Sequence, residues 1–479
     1  MNYGLILKTT GNVMILEAAA MLPSLLCCAI YGESAAPFLL PVVLLLAAGS
    51  ALSRTKNHVD HFFSRDAFVC VCLIWFVLSF FGAFPFLLSG RFPSFIDCLF
   101  ESISGFTTTG ASILTEVESL PKSILFWRSF THFIGGMGIL VLANALLPSG
   151  GNRSQHLMRA EVPGPTSDKL VPKLSQSSKL LYLIYSGMTV TEAIALLLCG
   201  LDLFDALTLA FGTAGTGGFA ATNASVGAYG SPAVEWVIGI FMLLFSINFT
   251  LHFLILTGKA KKVVKNEELH WYLLIFAGAM VIMTANTASY FDTLGDAIRS
   301  SFFNVATIIS TTGYGITDTN LWPQLSKTVI VLLMAMGAMA GSTGGGMKCS
   351  RIVMLFKSVA QELKQIIHPN SVKIVRMDGK RVEDGTVTSV LRFFGAYVLI
   401  TFFSTLIISV DGHDLETTFT AVLSAISNIG PGFGLVGATG NFAFFSGFSK
   451  CVLSLCMIAG RLEVFPVLIF FFPATWKKA

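Results

Sequence analysis

The chain has 479 residues, 54% of them hydrophobic and only 12% charged, with a mean hydropathy of +0.74. A soluble domain carries about twice that share of charge, so the composition excludes an ordinary soluble protein. The net charge of +4 is too small to point to nucleic acid or to an acidic partner.

In chain order, apolar runs near the length that crosses a bilayer predict membrane helices at 9–31, 35–52, 67–89, 123–148, 177–200, 232–257, 270–290, 325–340, 387–409 and 447–472. The first run is too long for the core of a signal peptide, and a second follows at once, so it counts as a span. Ten crossings leave both termini on one side. Basic residues gather on that side: Arg54, Lys56 and Arg65; Lys259, Lys261, Lys262 and Lys265; Lys373, Arg376, Lys380 and Arg381. The other side holds Arg91, Lys122, Arg128, Arg299, Lys327 and Lys450 and the larger share of the acids. The positive-inside rule then predicts cytoplasmic termini.

After the third, fifth, seventh and ninth spans comes a segment too short to cross and too apolar to lie in water. Each reads as a short helix ending in a glycine-containing turn. The turns are Ser104-Gly105-Phe106-Thr107-Thr108-Thr109-Gly110; Gly212-Thr213-Ala214-Gly215-Thr216-Gly217-Gly218-Phe219; Ser310-Thr311-Thr312-Gly313-Tyr314-Gly315; and Ser427-Asn428-Ile429-Gly430-Pro431-Gly432-Phe433. With Gly110, Gly217, Gly313 and Gly430 taken as equivalent, the repeats recur about every 100 residues. An even number of crossings per repeat keeps all four in one orientation, which relates them by an axis along the membrane normal. The predicted fold is an all-α polytopic membrane protein of four parallel helix–pore-helix–filter–helix repeats. Two N-terminal spans occupy 1–52, and the repeats occupy 67–148, 177–257, 270–367 (with a broken second helix) and 387–473. A cytoplasmic hairpin fills 368–386.

Irregular backbone at membrane depth survives only where protein or a watery cavity satisfies it. Four glycine turns meeting on one axis would ring such a cavity with carbonyl oxygens able to replace a cation's hydration shell. Glycine supplies the dihedrals that such a turn demands. Each short helix points its negative C-terminal pole inward. Asp97, Glu101, Asp205, Asp296, Asp414 and Glu416 stand near the outer ends, where they suit helix N-termini and are expected to concentrate cations at the mouth.

These four turns, their spacing and the overall length resemble the Trk/Ktr/HKT superfamily of potassium transporters, closest to the membrane subunit of bacterial Trk systems. Gly341-Ser342-Thr343-Gly344-Gly345-Gly346-Met347-Lys348 resembles that family's intramembrane gating loop, and His368-Pro369-Asn370 with Val372, Val375, Gly379 and Val382 its cytoplasmic hairpin. The resemblance implies K⁺ as the transported ion and a filter at Thr108, Thr109, Gly110, Thr216, Gly217, Thr311, Thr312, Gly313, Asn428, Ile429 and Gly430. It implies a gate at Gly341, Ser342, Thr343, Gly344, Gly345, Gly346, Lys348 and Arg461. It also implies a homodimer in a bacterial inner membrane, a cytosolic nucleotide-binding regulatory subunit, and no organic cofactor in this chain. Gly110 matches the K⁺-favouring members. The fourth repeat departs from the pattern, having Asn428-Ile429 where the first and third have two threonines.

Charges inside spans are costly and need roles. Arg461 is read as a barrier below the filter, as the structural partner of Glu463 or another acid, or as both. Glu17 and Glu192 are read as structural partners rather than proton carriers. Lys348 is either part of the gate or a marker of its helix end. The His58/His61 spacing stands in a polar loop without further ligands and is read as chance. The cysteines fall mostly in apolar runs and read as packing residues. Ile352, Leu355, Phe356, Val359 and Leu363 predict an amphipathic helix before His368, and Asp378-Gly379 predicts a hairpin turn. It is a membrane-surface helix or a platform for the regulator. No nucleophile, base or metal motif of an enzyme is present. The rival reading is a proton- or sodium-coupled symporter.

Overall fold

Lipid offers no hydrogen bonds, and the chain meets that constraint with helices almost throughout. The computed structural model describes residues 1–55, 64–138, 174–370 and 374–477. Among the described residues six helices are long and apolar enough to cross a membrane: Tyr3–Tyr31, Ala36–Ser53, Arg65–Leu88, Ser178–Leu198, Glu267–Tyr290 and Asp384–Asp411. The remainder of the expected span 123–148 beyond residue 138 lies outside the described residues, as do Lys56, His58, His61, Val372 and Lys373.

Two expected spans are each broken in two. The run 232–257 becomes Pro232–Phe245 and Phe249–Leu256, bent by 97°. Asn248 starts the second piece by accepting the Thr250 amide on its side chain at 2.8 Å. The run 447–472 becomes Gly447–Arg461 and Phe465–Phe471, separated by Glu463 and Val464, both at positive φ. The run 325–340 yields a helix only at Gln324–Met336, and the expected break after it is present before Cys349–Ile367. That last helix ends at His368, as the sequence predicts. Beyond it, Arg376–Met377 pairs with Lys380–Arg381 around Asp378 and Gly379, both at positive φ as a tight hairpin turn requires.

Four short helices follow the outer helices: Phe95–Phe106, Leu203–Gly215, Leu294–Ile309 and Leu415–Ser427. Each starts the same way. Ser94, Asp202, Thr293 and Asp414 accept the amide of the residue three places on, Asp97, Asp205, Asp296 and Thr417 respectively. Such caps satisfy amides that a helix leaves unpaired.

The packing closes a ring. Each short helix sits between its own outer and inner helices and also touches the inner helix of the preceding repeat. Lys122–Gly136 packs on Leu203–Gly215, Pro232–Phe245 on Leu294–Ile309, and Gln324–Met336 on Leu415–Ser427. Gly447–Arg461 returns to Phe95–Phe106 and completes the circle. The N-terminal helices stand outside it, resting on the first repeat. There Tyr3–Ala20 and Ala36–Ser53 meet at Gly11 and Gly49, where an added Cβ would lie 2.7–2.9 Å from the other glycine's carbonyl. Small residues of this kind let membrane helices approach closely.

A buried ion pair within the first repeat also reaches the second through Arg128. Arg128 Nε lies 2.5 Å from Glu101 Oε1, and its Nη1 donates to the Ala220 carbonyl at 2.9 Å. Its guanidinium covers the Phe219 ring at 3.6 Å. Glu101 also accepts from Ser112 Oγ and the Ile113 amide. Removing one partner leaves the other charge buried, so Arg128→Met should destabilise the protein by about 3–5 kcal/mol. Thermal unfolding in detergent should show the Glu101→Gln/Arg128→Met pair recovering much of that loss; equal loss in the single and double variants would contradict the pairing.

Candidate functional site

The four short helices end in the same pair of backbone hydrogen bonds. A residue at positive φ follows each: Thr108 (φ 53), Thr216 (φ 54), Thr311 (φ 62) and Asn428 (φ 54). Their amides donate three residues back, to the carbonyls of Gly105, Thr213, Ile308 and Ala425. The next residues, Thr109, Gly217, Thr312 and Ile429, donate five residues back to Ser104, Gly212, Thr307 and Ser424 at 2.8–3.1 Å. This is the left-handed helix stop that usually takes glycine, built here on threonine and asparagine. A glycine at positive φ completes each turn: Gly110 (φ 78), Gly218 (φ 78), Gly313 (φ 83) and Gly430 (φ 100).

This geometry corrects one alignment. The second-repeat counterpart of Gly110, Gly313 and Gly430 is Gly218, and Gly217 matches Thr109, Thr312 and Ile429. Two adjacent glycines in Thr216-Gly217-Gly218 left the register open in the sequence, and the hydrogen bonds fix it.

The glycines also join the turns to one another. A Cβ on Gly110 would lie 1.8 Å from the Gly217 carbonyl oxygen, on Gly218 2.1 Å from Thr312 O, and on Gly313 1.9 Å from Ile429 O. On Gly430 it would lie 2.7 Å from Thr109 O, which closes the circle. Every turn leans on the next. The residues Thr108, Thr109, Thr216, Gly217, Thr311, Thr312, Asn428 and Ile429 are all buried. Their carbonyl oxygens accept no hydrogen bond among the described residues, whereas that of Gly430 takes one from Ser424 Oγ at 2.7 Å. Within each turn φ changes sign from one residue to the next.

Side chains brace the turns unequally. Thr107 and Thr109 share a hydroxyl contact of 2.8 Å, repeated by Ser310 and Thr312. Asn428 Nδ2 donates to Thr109 Oγ1 and to the Met457 carbonyl. His132, which sequence reasoning passed over, wedges behind the second turn: its Nδ1 lies 2.8 Å from Gly105 O, and its Nε2 accepts the Phe219 amide. A lone histidine in the apolar run 123–148 was the available signal. Most of the carboxylates expected to concentrate cations at the mouth are neutralised or occupied, although Asp205 enters no ion pair among the described residues. Asp97 binds Lys450, Glu101 binds Arg128, Asp296 binds Arg299, Glu416 binds Lys327, and Asp414 caps its helix.

The expected gate residues Gly341, Ser342, Thr343, Gly344, Gly345 and Gly346 lie against the third and fourth turns. The Gly345 amide donates to Thr311 Oγ1 at 2.6 Å, and a Cβ on Gly345 would sit 2.3 Å from Ser427 O. The broken helix of the second repeat receives the loop: Met339 N and Thr343 Oγ1 donate to Ser246 O and Phe245 O, and Phe249 N donates to Gly341 O. The two breaks satisfy each other's backbone. Arg461 Nη1 donates to Thr343 O at 2.8 Å while its Nη2 reaches Gly135 O and Gly136 O. Lys348, at positive φ and buried, donates to Gly344 O. Glu463 pairs with Arg351, not with Arg461. A cavity of about 70 Å³ adjoins the loop, lined by Gly136, Ser342, Gly346, Lys348, Arg461 and Glu463 among others. Of the other charges within spans, neither the Glu17 nor the Glu192 carboxylate, both buried, makes a hydrogen bond among the described residues, so the structural partners expected for them are not seen there.

Two neighbouring acids join this loop to the hairpin. Glu268 Oε1 accepts both the Ala340 and the Ser350 amides, at 2.8 and 3.0 Å, one on each side of the loop. Glu267 binds Lys357 and the Asp378 amide. Sequence reasoning missed both, because their partners, three backbone amides and Lys357, lie far along the chain.

The fold and the site define a class: a multi-pass helical membrane protein whose four repeats meet in a ring of re-entrant turns. The family model described as TrkH, cation transport protein, matches residues 36–478, and the chain belongs to that family. It is 36% identical to the Trk system potassium uptake protein TrkH of Escherichia coli K12 over the full length of both chains. It is 33% identical to TrkH of Halomonas elongata, again over the full length of both. It also matches the crystal structure of the potassium transporter TrkH from Vibrio parahaemolyticus with a TM-score of 0.90 and 32% identity, covering all of each chain.

Glu268→Ala should strip both flanks of the loop of their shared acceptor, while Glu268→Gln keeps an oxygen in place. Thiol labelling of a Ser342→Cys reporter should then run severalfold faster in the alanine variant and near the parental rate in the glutamine variant. Equal rates in all three would remove Glu268 from the support of the loop.

Proposed function

We propose that the chain carries K⁺ across a bacterial inner membrane through one pore on the axis of the four turns, with both termini cytoplasmic. The observation that carries this reading is the set of eight buried carbonyls, two per turn, without a donor among the described residues. Buried backbone oxygens are nearly always paired, and a ring of unpaired ones suits a cation stripped of water. The inward C-terminal poles of four helices favour the same charge. Membership of a cation transport family and relatives named as potassium uptake proteins supply the ion.

The filter is assigned to Thr108, Thr109, Gly110, Thr216, Gly217, Gly218, Thr311, Thr312, Gly313, Asn428, Ile429 and Gly430. The loop from Gly341 to Gly346, with Lys348 and Arg461, acts as the gate beneath it. Two cations donate to carbonyls of that loop, so positive charge stands beside the path while the loop is in place. Regulation enters through the hairpin, where a cytosolic nucleotide-binding subunit would act on Glu267 and Lys357. The functional unit is a homodimer, each chain with its own pore.

Purified protein in liposomes should take up rubidium in preference to sodium, and uptake should persist without a proton gradient. Dependence on such a gradient would favour the coupled symporter. Serine at Gly110, Gly218, Gly313 or Gly430 should lower the rubidium-over-sodium ratio by about tenfold, equivalent to about 1.4 kcal/mol, or stop flux while insertion is preserved. Unchanged selectivity in all four variants would exclude the turns as the filter. In a separate test, Arg461→Ala should raise basal flux severalfold, and deletion of Gly341 to Gly346 should raise it further. Parental flux from a folded deletion variant would show the loop to be a static bend.

A further inference from the structure

The bent helix of the second repeat leads into a basic segment that the pore does not use. Phe249–Leu256 turns 97° from Pro232–Phe245, so it lies close to the membrane plane when the inner helix runs along the pore axis. Its end and the turn beyond expose Ile255, Leu256 and Val264, at 52%, 71% and 68%. Lys259, Lys261, Lys262 and Lys265 follow within seven residues, and all are exposed. Among the described residues none of the four enters an ion pair.

The nearby acids are committed elsewhere. Glu267 holds Lys357, Glu268 holds two loop amides, and Asp378 accepts from the Glu267 amide and the Asn266 side chain. Among the described residues no acid neutralises this patch. A short apolar helix along the bilayer plane, followed at once by clustered lysines, has the chemistry of an anionic lipid site. The apolar side chains enter the acyl boundary and the ammonium groups meet phosphates.

We propose that residues 255–265 bind the headgroups of anionic phospholipids and thereby fix the bent helix against the bilayer surface. The helix so anchored is the one whose break receives the loop at Phe245, Ser246 and Phe249. Anionic lipid thus holds one support of that loop in place. The lipid contact itself stands apart from the pore assignment, and its test reads binding rather than flux.

The test is a titration of the purified, detergent-solubilised protein with phosphatidylglycerol, with phosphatidylcholine as the neutral control, followed by native mass spectrometry. The parent should prefer phosphatidylglycerol, and high salt should weaken the preference. Glutamine at Lys259, Lys261, Lys262 and Lys265 together should reduce apparent affinity by at least about tenfold, and arginine at the same four positions should preserve it. These are exposed positions, and a parental melting temperature would confirm that the glutamine variant is folded. Parental phosphatidylglycerol binding by the glutamine variant would overturn the proposal. So would full displacement of the lipid by millimolar inorganic phosphate, which would make the patch a site for free anions. Loss of a cytosolic regulator with lipid binding intact would also overturn it, in favour of a protein-docking surface.

Discussion

Backbone that leaves a helix at membrane depth must find partners, and that constraint organises this molecule. Four turns break the helical pattern near the centre of the protein. Each satisfies its first two amides by bonding back into its own short helix, at Gly105 and Ser104, Thr213 and Gly212, Ile308 and Thr307, and Ala425 and Ser424. The outward support comes from the neighbour. Each glycine at positive φ lies against a carbonyl of the next turn, and the fourth lies against the first. No turn has this environment alone, so the ring forms as a unit.

The same economy governs the loop after Met336. Its amides and carbonyls are met by Phe245, Ser246 and Phe249 of another broken helix, by Thr311 of the third turn, and by the carboxylate of Glu268. Two breaks that would each be costly alone become mutually supporting. Arg461 and Lys348 add charge-assisted bonds to the loop's carbonyls. On the opposite face, ion pairs neutralise most of the acids near the mouth, with Arg128 and Lys450 buried against Glu101 and Asp97. In the proposed pore, the attraction for a cation would then rest on backbone oxygens and helix ends more than on surface carboxylates.

Much of this was legible in the sequence because the signals are local. Apolar runs gave most spans, and glycine turns about every 100 residues gave the repeats. The Gly341–Gly346 run announced a break, and Asp378-Gly379 a hairpin. What stayed hidden depends on partners distant in the chain. Gly217 and Gly218 are indistinguishable until the bond from Gly217 N to Gly212 O sets the register. The break at Ser246–Asn248 looks like continuous apolar helix because its free carbonyls are paired by residues about 95 positions away. Glu463 chooses Arg351 over the nearer Arg461, since positive φ at Glu463 and Val464 turns the chain. His132, Glu267 and Glu268 carry no motif at all.

The central claim is that a cation sits among the unpaired carbonyls of the four turns. Anomalous diffraction from crystals soaked in rubidium or thallium salts tests it most directly. A peak on the axis, within coordination distance of the carbonyl oxygens of Thr108, Thr109, Thr216, Gly217, Thr311, Thr312, Asn428 and Ile429, is the predicted result. A clean map there, with the ion bound instead beside Glu17 or Glu192, would contradict the account and point to a solute-type site among the helices.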